Sequence, residues 1–321
     1  MIETLFHAYT PLFIWVGLGL VLSRVTVDNF LKWLGQGLYW VGVPLQLLVL
    51  ARHTNTSAGG FIPGTAIAIL LLSLVLALLA WWGWQWYITT QRAVNLETVD
   101  VPESVIKASL GSFILATILG NTGFVGLTLI QVLTSSENTG SAVLFSVTNN
   151  VVGTYGMAIL IASYFGQRKT ENYWWIQVRD IVTVPSLWTF FIGLNTQFIE
   201  LPAAVESALD QAVWVVIALA LLLVGLRLGK MRSWGSLAIA AIASAIKVFI
   251  IPMLVGLGAT YFGVIGEQRL VLVIMSGTPT GLSVLILAEV YDLDRDLLSS
   301  SIALTFIGLF LALPLWLVLF S

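Results

Sequence analysis

Apolar residues along this chain fall in runs of about twenty, the length an α-helix needs to cross the hydrocarbon core of a bilayer, and short polar stretches separate them. The runs predict ten spans, near 5–23, 31–51, 62–90, 105–132, 141–165, 177–197, 210–228, 234–258, 269–290 and 297–319. The third is overlong, and its tail Trp81-Trp82-Gly83-Trp84-Gln85-Trp86-Tyr87 has the composition of an interfacial aromatic belt. Connections are short and carry turn residues such as Asn55, Gly59, Gly60, Asn138, Gly140 and Asn172. None is long or biased enough to be a soluble domain or a disordered tail. The first run has no Lys or Arg before it and carries Glu3 instead, so it does not resemble a cleaved signal peptide.

Composition points the same way. Of 321 residues, 58% are apolar and only 9% charged, whereas soluble chains carry about 25% charged residues. Too little charge is present to cover a soluble surface, so lipid must surround most of the chain: an all-α, polytopic membrane protein. A net charge of −2 excludes a broad cationic face and makes nucleic acid a poor partner. There are no cysteines, hence no disulfides, thiolate metal sites or Cys nucleophiles. The two histidines, His7 and His53, sit near span ends and cannot form a His-rich metal site. No metal or cofactor is expected.

Arginine and lysine placement orients the spans. Eleven of the fourteen basic residues, among them Arg24, Arg92, Arg168, Lys230 and Arg295, follow spans 1, 3, 5, 7 and 9 or precede the next span on that side. Only Arg52 and Arg269 fall on the other side, so the first side is cytoplasmic and both termini lie outside. The remaining one, Lys247, lies inside a span. Ten spans with both termini on one side divide into two halves of five, and because five is odd the second half runs inverted. The expected repeats are 1–165 and 177–321, joined by a short cytoplasmic loop at 166–176. Weak echoes accompany the split: Thr10-Pro11-Leu12 with Gly17 in span 1, and Val184-Pro185-Ser186 with Gly193 in span 6.

Two spans are poor helix sequence at their centres. Span 4 contains Leu119-Gly120-Asn121-Thr122-Gly123-Phe124-Val125-Gly126, and span 9 contains Ser276-Gly277-Thr278-Pro279-Thr280-Gly281. Free backbone groups in hydrocarbon cost several kcal/mol each, about the value of a lost hydrogen bond, so such breaks persist only where protein or a wet cavity satisfies them. Simple kinks packed against neighbours are one reading. Matched breaks in corresponding spans of two halves are also the sequence pointer to a carrier's binding site. Opened helices expose N–H groups at the start of one half and carbonyls at the end of the other, and the N-terminal ends favour an anion. Asn121, Thr122, Gly123, Thr278, Pro279 and Thr280 are therefore candidate substrate-binding residues.

Lys247, near the middle of span 8, is a further candidate, since a charge at the bilayer centre costs about 2.5–3.5 kcal/mol on insertion scales. No Asp or Glu sits deep in a span to pair with it. It either ties spans together through carbonyls, standing where other carriers place a metal ion, or meets a bound anion. Asn149 and Asn150 in span 5 are candidates too, but adjacent helical residues point about 100° apart, so only one can face the crossing. Interhelical hydrogen bonding is the alternative for either, and for Gln46 beyond Pro44. Glu289, Asp292, Asp294, Arg295 and Asp296 read as a solvated, helix-capping run.

The segment Gly120-Asn121-Thr122-Gly123-Phe124-Val125-Gly126-Leu127 resembles the crossover of the auxin efflux carrier family. So do Ala288-Glu289-Val290-Tyr291-Asp292 with Ser299-Ser300-Ser301, Leu313-Pro314-Leu315-Trp316, and Ala245-Ile246-Lys247-Val248 with Pro252. The brief loop after span 5 is similar to that of the bacterial branch. Gly120 and Thr128 stand where family crossovers often carry proline. The resemblance implies a two-repeat carrier with scaffold and transport subdomains, related in architecture to bile acid–sodium symporters. It also implies an organic anion held where broken helices 4 and 9 cross, and an elevator-type motion.

The expected function is secondary transport of small organic anions, carboxylates in particular, across a plasma membrane, the inner membrane of a bacterium. The expected partners are that anion and the bilayer, with a homodimer as the candidate assembly. No embedded carboxylate favours a proton relay or an ordinary sodium site, so uniport or potential-driven flux is preferred to sodium-coupled symport. A ligand-binding sensor of the same fold is the alternative from another class. An intramembrane enzyme is disfavoured: no HExxH, Asp-bearing span or Ser/His pair occurs at depth, and no catalytic residue is expected.

Overall fold

The structure, a computed structural model, describes residues 2–52, 60–95, 102–167, 185–230 and 236–321. Twelve helices run through them: α1 (Ile2–Leu22), α2 (28–52), α3 (Ile62–Asn95), α4 (Glu103–Ile118), α5 (Thr122–Leu133) and α6 (136–165), then α7 (Pro185–Asn195), α8 (Ala203–Gly229), α9 (Leu237–Tyr261), α10 (Gly266–Ser276), α11 (Ser283–Tyr291) and α12 (Arg295–Phe320). Six are long and apolar enough to cross a membrane: α2, α3, α6, α8, α9 and α12. No strand occurs among the described residues, only one isolated antiparallel bridge, Gly120 with Thr280. His53, Asn55, Gly59, Asn172, most of the loop expected at 166–176 and the start of span 6 lie outside the described residues.

The two interrupted apolar runs are each split into a pair of short helices, α4 with α5 and α10 with α11. The overlong third run is a single helix that continues past its aromatic tail to Asn95. Within that tail Trp81 is buried against Phe113, while Trp82 and Trp86 are exposed. The acidic run caps as expected: Asp294 Oδ1 accepts the Leu297 N–H at the start of α12, and its Oδ2 accepts Ser109 Oγ at 2.8 Å.

Packing divides the helices into two groups. In the first, α1 lies along α8 and α7 along the second half of α2, with α2 also touching α8. The α1–α8 contact is backbone to backbone, because a Cβ on Gly225 would collide with the Val16 carbonyl and one on Gly19 with that of Leu222. Small residues allow such close approach where lipid offers no hydrophobic driving force between helices. Gly193 makes the equivalent approach, to Leu48 of α2, but its expected counterpart Gly17 meets nothing; Gly19, one pair further on, takes that part. The second group is α3–α6 with α9–α12, where α9 packs on α12 and α10, and α4 on α3, α6 and α12.

One polar link closes the second group at an end of the half-helices. The Glu267 carboxylate, ahead of the apolar run of α10, accepts the Ser135 N–H at 2.9 Å, the Ser135 hydroxyl at 2.6 Å and Asn138 Nδ2 at 2.6 Å. The hydrogen bond from the Ser135 hydroxyl, with that of its N–H, holds this carboxyl below its ordinary pKa. A lowered folded-state pKa contributes stability above the unfolded value that is lost as pH falls through the folded one. The link is solvent-exposed, so Glu267→Gln is expected to lower the unfolding midpoint in detergent by only about 1–2 °C at neutral pH. That difference shrinks as pH falls below glutamate's ordinary value of about 4.3 and is gone only below the lowered folded-state pKa. Thermal melts of both proteins across pH check it.

Candidate functional site

Helix α4 stops at Ile118 because Leu119 turns to extended backbone (φ −93°, ψ 118°). The chain then meets the break between α10 and α11 edge to edge. The Asn121 N–H donates to Pro279 O at 2.7 Å and the Gly281 N–H to Leu119 O at 3.1 Å, the two bonds of the Gly120–Thr280 bridge. Part of the main chain freed by the interruptions is thus satisfied by the other interruption, an arrangement an apolar surround demands. Side chains complete it. Thr280 Oγ1 donates to Ala116 O at 2.8 Å, Thr305 Oγ1 accepts the Thr280 N–H at 3.0 Å, and Thr278 Oγ1 donates to Met275 O at 3.1 Å. Lys247, in a π-turn at Ile246–Ile250 of α9, donates from Nζ to Ile118 O at 3.3 Å.

Gly120 belongs at this crossing for a steric reason. A Cβ there would collide with Thr278 Oγ1 and lie 3.3 Å from Lys247 Nζ.

Beyond the crossing, α5 opens with a π-turn, Thr122–Gly126, capped by Asn121, whose Oδ1 accepts the Phe124 N–H at 3.3 Å. The Asn121 carbonyl takes the N–H groups of Val125 and Gly126. The N–H groups of Thr122 and Gly123 stand ahead of that first hydrogen-bonded turn. Asn121 Nδ2 is buried with no hydrogen-bond partner. Thr122 Oγ1 accepts Ser146 Oγ at 3.2 Å, and Gln46 of α2, fully buried, donates to Gly123 O at 3.4 Å.

A cavity of about 180 Å³ lies against this turn. Gly120, Asn121, Thr122 and Gly123 form one side, with Gly281, Leu282 and Ser283, the start of α11, beside them. Asn150 and Tyr155 of α6 and Tyr39, Val43 and Leu47 of α2 complete it, so both helix groups contribute. The N-termini of α5 and α11 open into one space, where their partial positive charges favour an anion. Tyr39 and Tyr155 approach each other at 3.5 Å between hydroxyl oxygens. Both stand in π-helical stretches, Leu38–Gly42 and Asn149–Ala158, distortions that recur at functional sites.

Of the residues expected from the sequence to bind substrate, Asn121, Thr122, Gly123 and Asn150 line the cavity. Asn150 is the member of its pair that does so, while donating from Nδ2 to Ser146 O at 3.0 Å; Asn149 is buried with its Nδ2 unpaired. Thr278, Pro279, Thr280 and Lys247 build the crossing behind the cavity wall instead. Tyr39, Val43, Leu47, Thr154 and Tyr155 were not foreseen. The glycines around Thr154-Tyr155, Gly153 and Gly156, were the one available signal, being poor helix formers inside a span.

A helical bundle with two interrupted, mutually paired segments beside a small cavity is the architecture of a multi-pass membrane transporter. The chain matches the membrane transport protein family, that of the auxin efflux carriers, over residues 107–317 and belongs to it. It is 25% identical over 214 residues to an uncharacterized transporter of Methanocaldococcus jannaschii, covering 64% of this chain and 67% of that one. It is also 25% identical over 203 residues to an uncharacterized transporter of Methanothermobacter thermautotrophicus, covering 63% of this chain and 65% of that one. The matches thus span about two thirds of the length of these relatives.

Proposed function

We propose that this transporter is a secondary carrier of small organic anions, binding a carboxylate in the cavity at the N-termini of α5 and α11. The observation that carries this reading is the convergence of those two helix starts on one cavity, lined by Asn121, whose buried Nδ2 has no hydrogen-bond partner. Thr122, Gly123 and Ser283 offer N–H or hydroxyl donors, while Val43, Leu47 and Phe124 suit an apolar skeleton. Thr278, Pro279, Thr280 and Lys247 hold the crossing in shape from behind.

The chain is read as ten spans in two inverted repeats, 1–165 and 177–321, with α4–α5 and α10–α11 as interrupted spans 4 and 9. The packing supports this: α1 lies on α8 as α7 lies on α2, and each half places its break against that of the other. The α1–α2–α7–α8 group serves as scaffold, and the other eight helices, carrying the crossing, slide past it as an elevator. The cavity's position between the groups supports such a motion. Both termini are read as outside the cytoplasm, which the distribution of basic residues supports, and the membrane as a bacterial plasma membrane.

Purified protein in proteoliposomes tests the reading. Saturable uptake of a labelled carboxylate, accelerated by unlabelled carboxylate inside, is the expected result, with Asn121→Ala at least about tenfold weaker for loss of one charge-assisted donor. Tight binding with no flux or counterflow would instead make the protein a sensor of the same fold.

A further inference from the structure

Lys247 is the one charged side chain buried among the described residues, 3% exposed. Its Nζ donates to a single carbonyl, that of Ile118, and no Asp or Glu is buried beside it. A carbonyl supplies only a partial charge, so the ammonium lies in low dielectric without a full counter-charge, a costly state. Its place is specific. Gly120 lines the cavity on one side, and on the other a Cβ at Gly120 would lie 3.3 Å from Nζ. The wall between the ammonium and the cavity is therefore one residue thick and bears no side chain. On the cavity side the side-chain donors are neutral: Asn121, Thr122, Asn150, Tyr39 and Tyr155, with no Lys or Arg among the lining residues.

We propose that Lys247 is the counter-charge of the cargo, acting through the Gly120 wall without touching it, and that its single charge sets the cargo at one negative charge. The inference rests on the organic-anion reading above. Unit charges a few ångströms apart inside a protein interact strongly even at an effective dielectric constant of about 20. A monocarboxylate opposite Lys247 makes the loaded site neutral. A dicarboxylate leaves a second buried negative charge with neither a cation nor bulk water to offset it. The same arithmetic governs movement across the membrane field. The loaded group, ammonium plus monoanion, moves with no net charge, whereas the empty group moves with the charge of Lys247.

Butyrate and succinate, and hexanoate and adipate, serve as probes of equal chain length, with binding read by thermal shift on the full chain in detergent. Wild type is expected to prefer the monoacid of each pair by at least about tenfold. Lys247→Met, of similar length and uncharged, is expected to weaken monoacid binding by about 10- to 100-fold and to lose the preference. A structural lysine would give lower stability in Lys247→Met but an unchanged mono-to-diacid ratio. Should that variant not fold, wild-type proteoliposomes under valinomycin-set potentials decide. Monoacid exchange is expected to be insensitive to potential while net flux responds to it. A wild type indifferent to cargo charge, a Lys247→Met variant that keeps the preference, or exchange that follows the potential overturns the inference. Failure of every acid to bind wild type would remove the organic-anion reading itself.

Discussion

Asn121→Asp is expected to abolish organic-anion binding while leaving the protein folded. The substitution keeps the oxygen that caps the Phe124 N–H, and aspartate is as good an N-cap as asparagine. It keeps the main-chain bond to Pro279 as well. What changes is the buried, unpaired Nδ2 of this cavity-lining residue, which becomes a carboxylate oxygen. A like charge about 4 Å from a bound carboxylate costs about 4 kcal/mol at an effective dielectric constant of 20, close to a thousandfold in affinity. Asn121→Ala removes the same donor without adding repulsion, but it also removes the cap, worth about 1 kcal/mol. Aspartate should therefore be the worse binder, while alanine shows the loss of donor and cap without added charge. Carboxylate titration and thermal melts of both variants measure the two effects separately, and an aspartate variant that still binds would place the anion elsewhere.

Gly120→Ala is the second large effect, and it acts on stability. The new methyl would overlap Thr278 Oγ1, in a segment whose position is fixed by the bonds of Asn121 to Pro279 and of Gly281 to Leu119. Neither backbone can retreat without breaking that pairing. Overpacking of this kind costs about 1–3 kcal/mol, and transport should fall with it because Thr122 and Gly123 move with the strained segment. Thr278→Ala removes the colliding oxygen, and the next nearest atoms, 3.3 and 3.5 Å away, belong to the flexible Lys247 side chain. The double variant Gly120→Ala/Thr278→Ala should accordingly be more stable than Gly120→Ala alone, with a coupling of at least about 1 kcal/mol, since contacting residues are those whose effects fail to add. Simple additivity in the thermal melts would show that the methyl is accommodated some other way.

The interrupted segments were legible because their residues contradict their surroundings. Glycines and a proline inside apolar runs conflict with helix formation, and Asn121, Thr280 and Lys247 conflict with lipid. Each conflict resolves at one place in the fold. The division of labour among these residues was not legible. Nothing in the spelling of Thr278-Pro279-Thr280 says that its hydroxyls bond Met275 and Ala116 rather than a ligand. The α2 and α6 side of the cavity was equally silent. Tyr39 precedes Trp40 and looks like one more interfacial aromatic, and Val43 and Leu47 are ordinary apolar residues in an apolar span. Their role arises from the placement of one helix group against another, which no local pattern encodes. Gln46 lies between these cases: a polar residue in a span, read as a general interhelical contact, which in the fold reaches Gly123 at the mouth of α5.

The antiparallel bridge also constrains how the cavity can be emptied. With Leu119–Asn121 and Pro279–Gly281 stitched amide to carbonyl, the two interrupted segments behave as a single welded joint. Prising them apart would strand main-chain dipoles in oil. On the carrier reading proposed above, release comes from the opposite wall, by displacement of Tyr39, Val43 and Leu47 relative to the paired segments. Parting this seam to open a pore would cost both of its main-chain hydrogen bonds. On the elevator reading proposed above, the cradle is carried whole from one aqueous compartment to the other.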